Sequence, residues 1–282
     1  MASMTTTPID NSEGAQVSVE TLLTDNGSNF VSVAKKFSAI VALGLVTGVS
    51  AIFKFGRAST LASGSHVVWN SGGAYAFQTT AQALEVVSSS TDDVMTTGSG
   101  AWSVKIFGLD ADYAEQSEVV ELNGTTPVAL VNDYLRVFRM RVQTTGDADP
   151  ITGPNTGTLT CRLASAGASQ AIISPTQGTT LMAVYTVPAG YTALLHNFQA
   201  TVDGAKEVSV TLRTRGNSAT DTAGTSWQTK FTADLQGGGT DHNFEFPQPF
   251  TEKTDIIAVA VASSGTPSVS ANFTLELVAN PA

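Results

Sequence analysis

Along most of the chain, hydrophobic and polar residues alternate with a period of two. Trp102, Val104 and Ile106 alternate with Ser103 and Lys105. The same alternation recurs at 206–215 (KEVSVTLRTR), 243–246 (NFEF) and 271–278 (ANFTLELV). Because successive side chains of a strand point to opposite faces of a sheet, this pattern predicts antiparallel strands with one buried and one solvated face.

One segment departs from strict alternation: residues 255–262 (DIIAVAVA) are continuously apolar, as expected for a strand covered on both faces. Asn123-Gly124 is a hairpin signal, and Pro188 with Gly190 predicts a tight turn. No long helical period follows residue 57. The predicted fold class is therefore mainly β, with antiparallel β-sandwich or jelly-roll modules preceded by a short N-terminal helix and an extended arm.

The helix is predicted at residues 30–43, where apolar residues follow the spacing of one helical face. Asn29 stands at the N-cap position and Gly44 at the position of a helix stop. The following residues, LVTGVSAIFKFG, are rich in β-branched and aromatic side chains and predict an extended arm or strand.

The apolar run that begins at Phe37 has two competing interpretations, a membrane anchor and a docking segment. As a helix, Phe37 to Phe53 would reach about 25 Å, against about 30 Å of hydrocarbon. Four acidic residues precede the run, which is unlike a secretory signal. We therefore expect no membrane span, and expect Phe37 to Arg57 to pack either on another protein or on the body of this chain.

Within this arm, four residues are candidates for docking. Phe53 and Phe55 are expected to share one strand face, since they are two residues apart. Lys54 and Arg57 are expected to supply cationic contacts to carboxylates or carbonyl groups of the partner.

Three segments are predicted: an N-terminal docking arm at 1–57, a first β domain at 58–165 and a second at 170–282. The boundary rests on residues 164–180 (ASAGASQAIISPTQGTT), which lack periodicity and are rich in small side chains. One larger sandwich is the alternative.

The composition restricts the function. The net charge is −10 and only 13% of residues are charged. Because nucleic-acid binding needs clustered Lys and Arg, no nucleic-acid partner is expected. The one cysteine, Cys161, allows no intrachain disulfide and no Cys-rich metal site, so the fold has to depend on packing.

Candidate chemistry is sparse. His66, His196 and His242 lack metal-ligand spacing, and Cys161 lies in an alternating run typical of a strand. No catalytic residue, cofactor or metal site is predicted, and the chain is not expected to be an enzyme. One question stays open: Asp110, Asp112 and Glu115 are either Ca²⁺ ligands or ordinary turn residues. Asp92-Asp93 and 147–150 (DADP) leave the same question open.

Several segments resemble a widespread group of virion structural proteins of tailed bacteriophages. The segments are GVSAIFKFGRAS, HVVWNSGGAYAF, LEVVSSSTDDVMTTGSGAWSVKIFGLDADYAEQSEVVELNGTTPVALVNDYLRVFRM and TTLMAVYTVPAGYTALL. The resemblance spans about residues 46–200. It implies a non-enzymatic component of a virus particle, a trimeric capsid decoration (cement) or head-associated protein in contact with other virion proteins such as the major capsid protein.

Two alternatives remain: a receptor- or carbohydrate-binding module of a tail or fibre, and a jelly-roll capsid protein. Exposed aromatic residues in one groove would favour the binding module. The candidates are Trp69, Tyr75, Trp102 and Trp227, for which packing in the core is the other interpretation.

Overall fold

A computed structural model of the chain describes residues 22–25, 30–33, 37–62, 64–146, 149, 151–216, 226–263 and 265–281. The chain forms two compact units, Met1–Val46 and Thr47–Ala282, which are described separately.

The N-terminal unit contains a hairpin and one short helix. Strand β1 (Leu22–Asp25) pairs antiparallel with β2 (Phe30–Val33), and helix α1 covers Phe37–Ala42. The predicted helix at 30–43 is therefore wrong in its first part. In FVSV, two β-branched valines favour an extended backbone, and pairing with β1 supplies the hydrogen bonds that a helix would have made. The predicted cap Asn29 lies outside the described residues.

The predicted helix stop is confirmed. Gly44 has a left-handed backbone with φ of 68°. Its N–H donates to Val41 O at 2.9 Å, and Leu45 N–H donates to Ile40 O at 3.1 Å. Glycine is favoured here because it adopts positive φ without the strain of a Cβ. In the described part of the chain, no helix has both the length and the apolar character needed to cross a membrane.

The body of the molecule, Thr47–Ala282, is built from strands. They are β3 (Val49–Ala58), β4 (Gly64–Val67), β5 (Leu84–Ser88), β6 (Ala101–Leu109), β7 (Glu115–Glu121), β8 (Val128–Ala129), β9 (Arg136–Thr145), β10 (Leu159–Leu163), β11 (Ser169–Ile173), β12 (Val184–Thr186), β13 (Tyr191–Arg215), β14 (Gln228–Phe250), β15 (Asp255–Ala262) and β16 (Val269–Ala279). All named strand pairs of the body are antiparallel. The predicted mainly-β antiparallel fold is confirmed.

The largest sheet has the order β12-β15-β13-β16-β3, with β14 also paired to β13. Strand β13 changes partner along its length: 191–202 pair with β16, and 208–215 pair with β15. Strand β14 pairs with both halves, and the register shifts between Val202 and Glu207. Gly237 and Gly238 on β14, both with positive φ, lie opposite this shift. A bend at this level lets the two halves of the sheet curl around a common core.

Alternate side chains of this curled sheet point inward. Phe198, Phe273 and Tyr185 are the largest fully buried side chains among them. Beside them, the ring of Phe231 stacks on the ring of His242 with centroids 4.5 Å apart, and His242 contacts Phe244 at 4.6 Å. These three residues belong to the two halves of β14, so the stack connects the halves of one bent strand.

A second hydrophobic cluster is formed mostly by residues between β3 and β12, together with Val184 of β12 and Ile257 and Val259 of β15. It is covered by the sheet β11-β10-β5-β8 and the sheet β7-β6-β9. Residues 164–168, part of the expected boundary, form the turn between β10 and β11. The first part of the segment that suggested a domain boundary is thus a hairpin turn, in which Ser165 and Ala166 have positive φ, and it is followed by β11.

Strand β15 belongs to both clusters. Ile256, Ala258 and Ala260 face the core of the curled sheet, whereas Ile257 and Val259 face the second cluster. The prediction that 255–262 is covered on both faces is confirmed. The two clusters therefore share a strand.

Candidate functional site

The candidate docking residues lie on β3, which is an edge strand. On one side β3 pairs with β16 from Val49 opposite Val278 to Ala58 opposite Val269. Near its end, Arg57 N–H donates to Leu181 O at 3.4 Å. In the described part of the chain, no strand pairs with the other side between Val49 and Phe55. An open edge of this kind can accept a strand from another chain.

The strand places its candidate residues on opposite faces. Phe53, Phe55 and Arg57 point away from the core: Phe53 is 64% exposed, Phe55 is half-buried and Arg57 is exposed. Phe53 and Phe55 therefore share one strand face, as expected. Lys54 and Gly56 point inward and are buried.

Lys54 is buried in its own chain, although it was expected to contact a partner. Its side chain is only 7% exposed, its Nζ donates to Phe138 O, and the same Nζ lies 5.8 Å from the centre of the Phe138 ring. Burial, and secondarily the charge of Arg139, lower the pKa of Lys54 to about 7. A side chain that is already bonded inside its own chain is not available to a partner.

Gly56 has a packing role. A Cβ at this position would overlap the carbonyl oxygen of Val68 and the nitrogen of Ala183. Only glycine lets β3 approach these backbone atoms so closely. Strand β3 continues through Gly56 to Ala58.

The outer face of the sheet beside β3 carries a groove of about 390 Å³. Strand register places Phe55, Asn272, Gln199 and Asp241 in one row across four strands. A parallel row of small residues, with Arg57 at its end, contains Ser270, Thr201 and Gly239. Because the side chains of the second row are small, the surface is lower there and forms the floor of the groove. Phe55 forms one of its walls.

Sequence reasoning missed Gln199, Asn272 and Asp241. Asn272 lies in the predicted strand at 271–278, but no strand was predicted at Gln199 or Asp241. The proximity of the three residues was not predictable either, because they are distant in sequence and meet only through the register of β13, β14 and β16.

A buried ionic cluster lies elsewhere in the body. Asp255, fully buried, accepts hydrogen bonds from Arg136 Nε at 3.0 Å, Arg215 Nη2 at 2.6 Å and Thr186 Oγ1 at 2.6 Å. The Arg215 guanidinium also lies about 5 Å from the rings of Phe77 and Trp227. The cluster connects side chains of β9, β12, β13 and β15, so its role is to hold these strands together.

The acidic turns are occupied by backbone hydrogen bonds. Asp110 Oδ1 accepts from the N–H groups of Asp112 and Ala114, at 2.8 and 2.9 Å. Buried Asp93 accepts from Ser88 Oγ and from three backbone N–H groups, at 2.6 to 2.9 Å. Within the described ranges, no three His, Cys, Asp or Glu side chains form a group suited to a metal ion.

The aromatic candidates lie mostly in the second cluster. Trp69 and Tyr75 are buried, with ring centroids 5.3 Å apart, and Trp102 is half-buried on β6. Trp227 is half-buried against Phe77 and Arg215. The four rings form no exposed aromatic groove. Cys161 is buried in the same cluster, where burial raises the pKa of its thiol.

Comparison with known proteins does not assign this chain to a family. No protein-family model matches the chain, and no curated protein matches it. Two solved structures of VP2 from infectious bursal disease virus have some similarity. The subviral particle of VP2 is 10% identical with a TM-score of 0.16, covering 82% of this chain and 77% of that chain. A mutant VP2 in T=1 particles is 11% identical with a TM-score of 0.15, covering 83% and 74%. Values this low establish neither a common family nor a common function.

Proposed function

We propose that this chain is a structural component of a bacteriophage particle, a capsid decoration or head-associated protein without enzymatic activity. The proposed class of protein rests on the resemblance of residues 46–200 to phage virion structural proteins. The proposed mode of attachment rests on one structural observation: β3 has an open edge and carries the exposed side chain of Phe53. The proposed partners are neighbouring virion proteins, such as the major capsid protein, and further copies of this chain.

Attachment through β3 uses two kinds of contact. A strand added to the open edge gains main-chain hydrogen bonds, which do not depend on the partner's sequence. Phe53 adds specificity, because burying its ring contributes about 1.5–3 kcal/mol. Arg57 is exposed, and an exposed ion pair contributes about 0–1 kcal/mol. Of the two side chains, Phe53 should therefore contribute more to attachment than Arg57.

The test is reconstitution of particles that lack this protein with the purified full-length chain. We expect Phe53→Ser to weaken the affinity for the particle by about tenfold or more, the equivalent of about 1.4 kcal/mol or more. Phe246→Ser is the matched control, because Phe246 is 82% exposed on another strand of the same body. It should attach like the wild type.

Hydrogen exchange separates edge pairing from a contact through the side chain alone. Those amides of 49–55 that point to the open edge should gain protection on attachment, while the amides of 241–246 keep their exchange rates. Normal attachment of Phe53→Ser, or unchanged exchange at 49–55, would exclude β3 as the docking strand.

We also propose that the free protein is a homotrimer. Mass measurement of the purified chain in solution tests this, and a stable monomer at micromolar concentration would contradict it.

A further inference from the structure

The groove beside Phe55 is lined by side chains suited to a ligand rather than to another strand. It lies on the face of the sheet, where the backbone groups of β13 and β16 are already paired with strands on both sides. A strand laid on this face would find no main-chain donors or acceptors. A ligand there has to be recognised by side chains.

The polar side chains of the groove are held in place by each other. Asn272 Nδ2 donates to Gln199 Oε1 at 3.0 Å, and Asn197 Nδ2 donates to Asp241 Oδ1 at 2.6 Å. These bonds leave Gln199 Nε2, Asn272 Oδ1 and Asp241 Oδ2 without a partner among the described residues. The groove therefore presents one fixed donor group beside two acceptors, a pattern that matches hydroxyl groups, which both donate and accept.

The aromatic wall complements these groups. Phe55 is half-buried, so its ring is held by the sheet while one side borders the groove. The face of an aromatic ring is apolar and carries partial negative charge, and it packs against the C–H groups of a sugar ring. A mainly apolar wall with a few fixed polar groups is the usual composition of a small-molecule site.

The charge and size of the groove further restrict the class of ligand that it can bind. The described lining residues include no lysine or arginine, and Asp241 contributes one negative charge. Arg57 is at the end of the second row but does not line the groove, so Asp241 is the charged group within the described lining and disfavours an anionic ligand. Four strands spaced about 4.8 Å apart give the row a length of about 14 Å, which is enough for two or three sugar rings.

We propose that the groove lined by Phe55, Gln199, Asn272 and Asp241 binds a neutral oligosaccharide. Phe55 stacks on one sugar ring, and the amide and carboxylate groups bind hydroxyls of the same or the next ring. The inference goes beyond the proposed virion role, since a particle component could perform that role without binding a glycan.

The test uses the full-length protein on an array of neutral and acidic oligosaccharides, followed by titration of the best-bound neutral glycan. We expect binding to neutral hexose or N-acetylhexosamine oligosaccharides. Phe55→Ala should weaken the affinity about tenfold or more, from the loss of an aromatic contact. Gln199→Ala, which removes the donor group of the groove, should weaken it several-fold.

Phe53→Ala is the matched control, because Phe53 lies on the same strand and face but does not line the groove. Its affinity should stay within about twofold of the wild type. Circular dichroism establishes that each variant is folded. The proposal is overturned by an array without neutral glycan binding, by binding confined to acidic glycans, or by equal effects of Phe53→Ala and Phe55→Ala. Because the test needs no particle, its failure leaves the docking proposal standing, and the converse also holds.

Discussion

At the scale of single residues, Lys54 gives the folded protein a dependence on pH. The buried ammonium group is poorly solvated, which is why the pKa of Lys54 falls to about 7, from 10.5 for an unperturbed lysine. Between these values the unfolded chain binds more protons than the folded chain. The free energy of unfolding should therefore rise with pH from about 7 to about 10, by at most about 1.4 kcal/mol per pH unit.

Lys54→Met tests this dependence, because methionine keeps the length of the side chain and removes the charge. We expect the variant to be more stable than the wild type near pH 6 and to lose most of the rise between pH 7 and 9. Denaturant unfolding at a series of pH values measures both effects. Lys105→Met, at a half-buried position on β6, is the control that keeps Lys54 in place. An unchanged slope in Lys54→Met would show that another group is responsible.

At the scale of elements, strand β14 contains two phenylalanines with opposite environments. Phe231 stacks on His242, packs against Phe198 at 5.6 Å and is half-buried. Phe246 is 82% exposed. Because Phe231 helps to hold together the two halves of the bent strand, we expect Phe231→Ala to lower the free energy of unfolding by about 2–3 kcal/mol, less than for a fully buried phenylalanine.

Phe246→Ala provides the comparison on the same strand. Its effect should stay within about 0.5 kcal/mol, as for other surface substitutions. Urea unfolding of both variants decides the question. Equal effects of the two substitutions would mean that the ring stack does not stabilise the curled sheet.

The strands show what can be predicted from a sequence at this scale. Alternation correctly located β6, the second half of β13 and β16, and the uninterrupted apolar run correctly gave β15 two covered faces. These predictions succeed because side-chain period is a local property. The placement of Lys54 failed because alternation says that neighbours face opposite ways but not which set faces the core. That choice depends on the close approach at Gly56 and on pairing with β16, both of which are contacts between distant residues.

The groove shows the same limit. Of its polar residues, Asn272 alone lies in a predicted strand, and a site exists only where strand register brings it into a row with Gln199 and Asp241. In the N-terminal unit, helical spacing also misled: Phe30 and Val33 fit a helical face, but pairing with β1 makes this segment a strand.

At the scale of the body, Asp255 connects parts of the fold that belong to different hydrophobic clusters. Its carboxylate is fully buried, and its partner Arg136 is 4% exposed. Asp255→Ala would leave the Arg136 charge buried without its counter-ion, which costs about 3–5 kcal/mol. We expect one unfolding transition, with the signals from tryptophan fluorescence and far-ultraviolet circular dichroism shifted equally, because β15 supplies side chains to both clusters.

The double substitution Asp255→Leu with Arg136→Met is the control for this explanation. It removes both charges of the most buried pair and should cost less than Asp255→Ala alone. Two separate transitions in Asp255→Ala would mean that the clusters unfold independently.

The pairing of β3 with β16 also determines how the body would respond to force. Val49 lies opposite Val278, and Gly48 O accepts a hydrogen bond from Ala279 N at 2.7 Å, so the chain enters and leaves the body side by side. A pull applied at these two points loads the hydrogen bonds one after another, in the manner of a zipper, and β3 is the first strand to peel away. A neighbour's strand bonded to the far edge of β3 would add a second row of bonds to be broken. Attachment through this strand would therefore reinforce the strand pair that such a pull separates first.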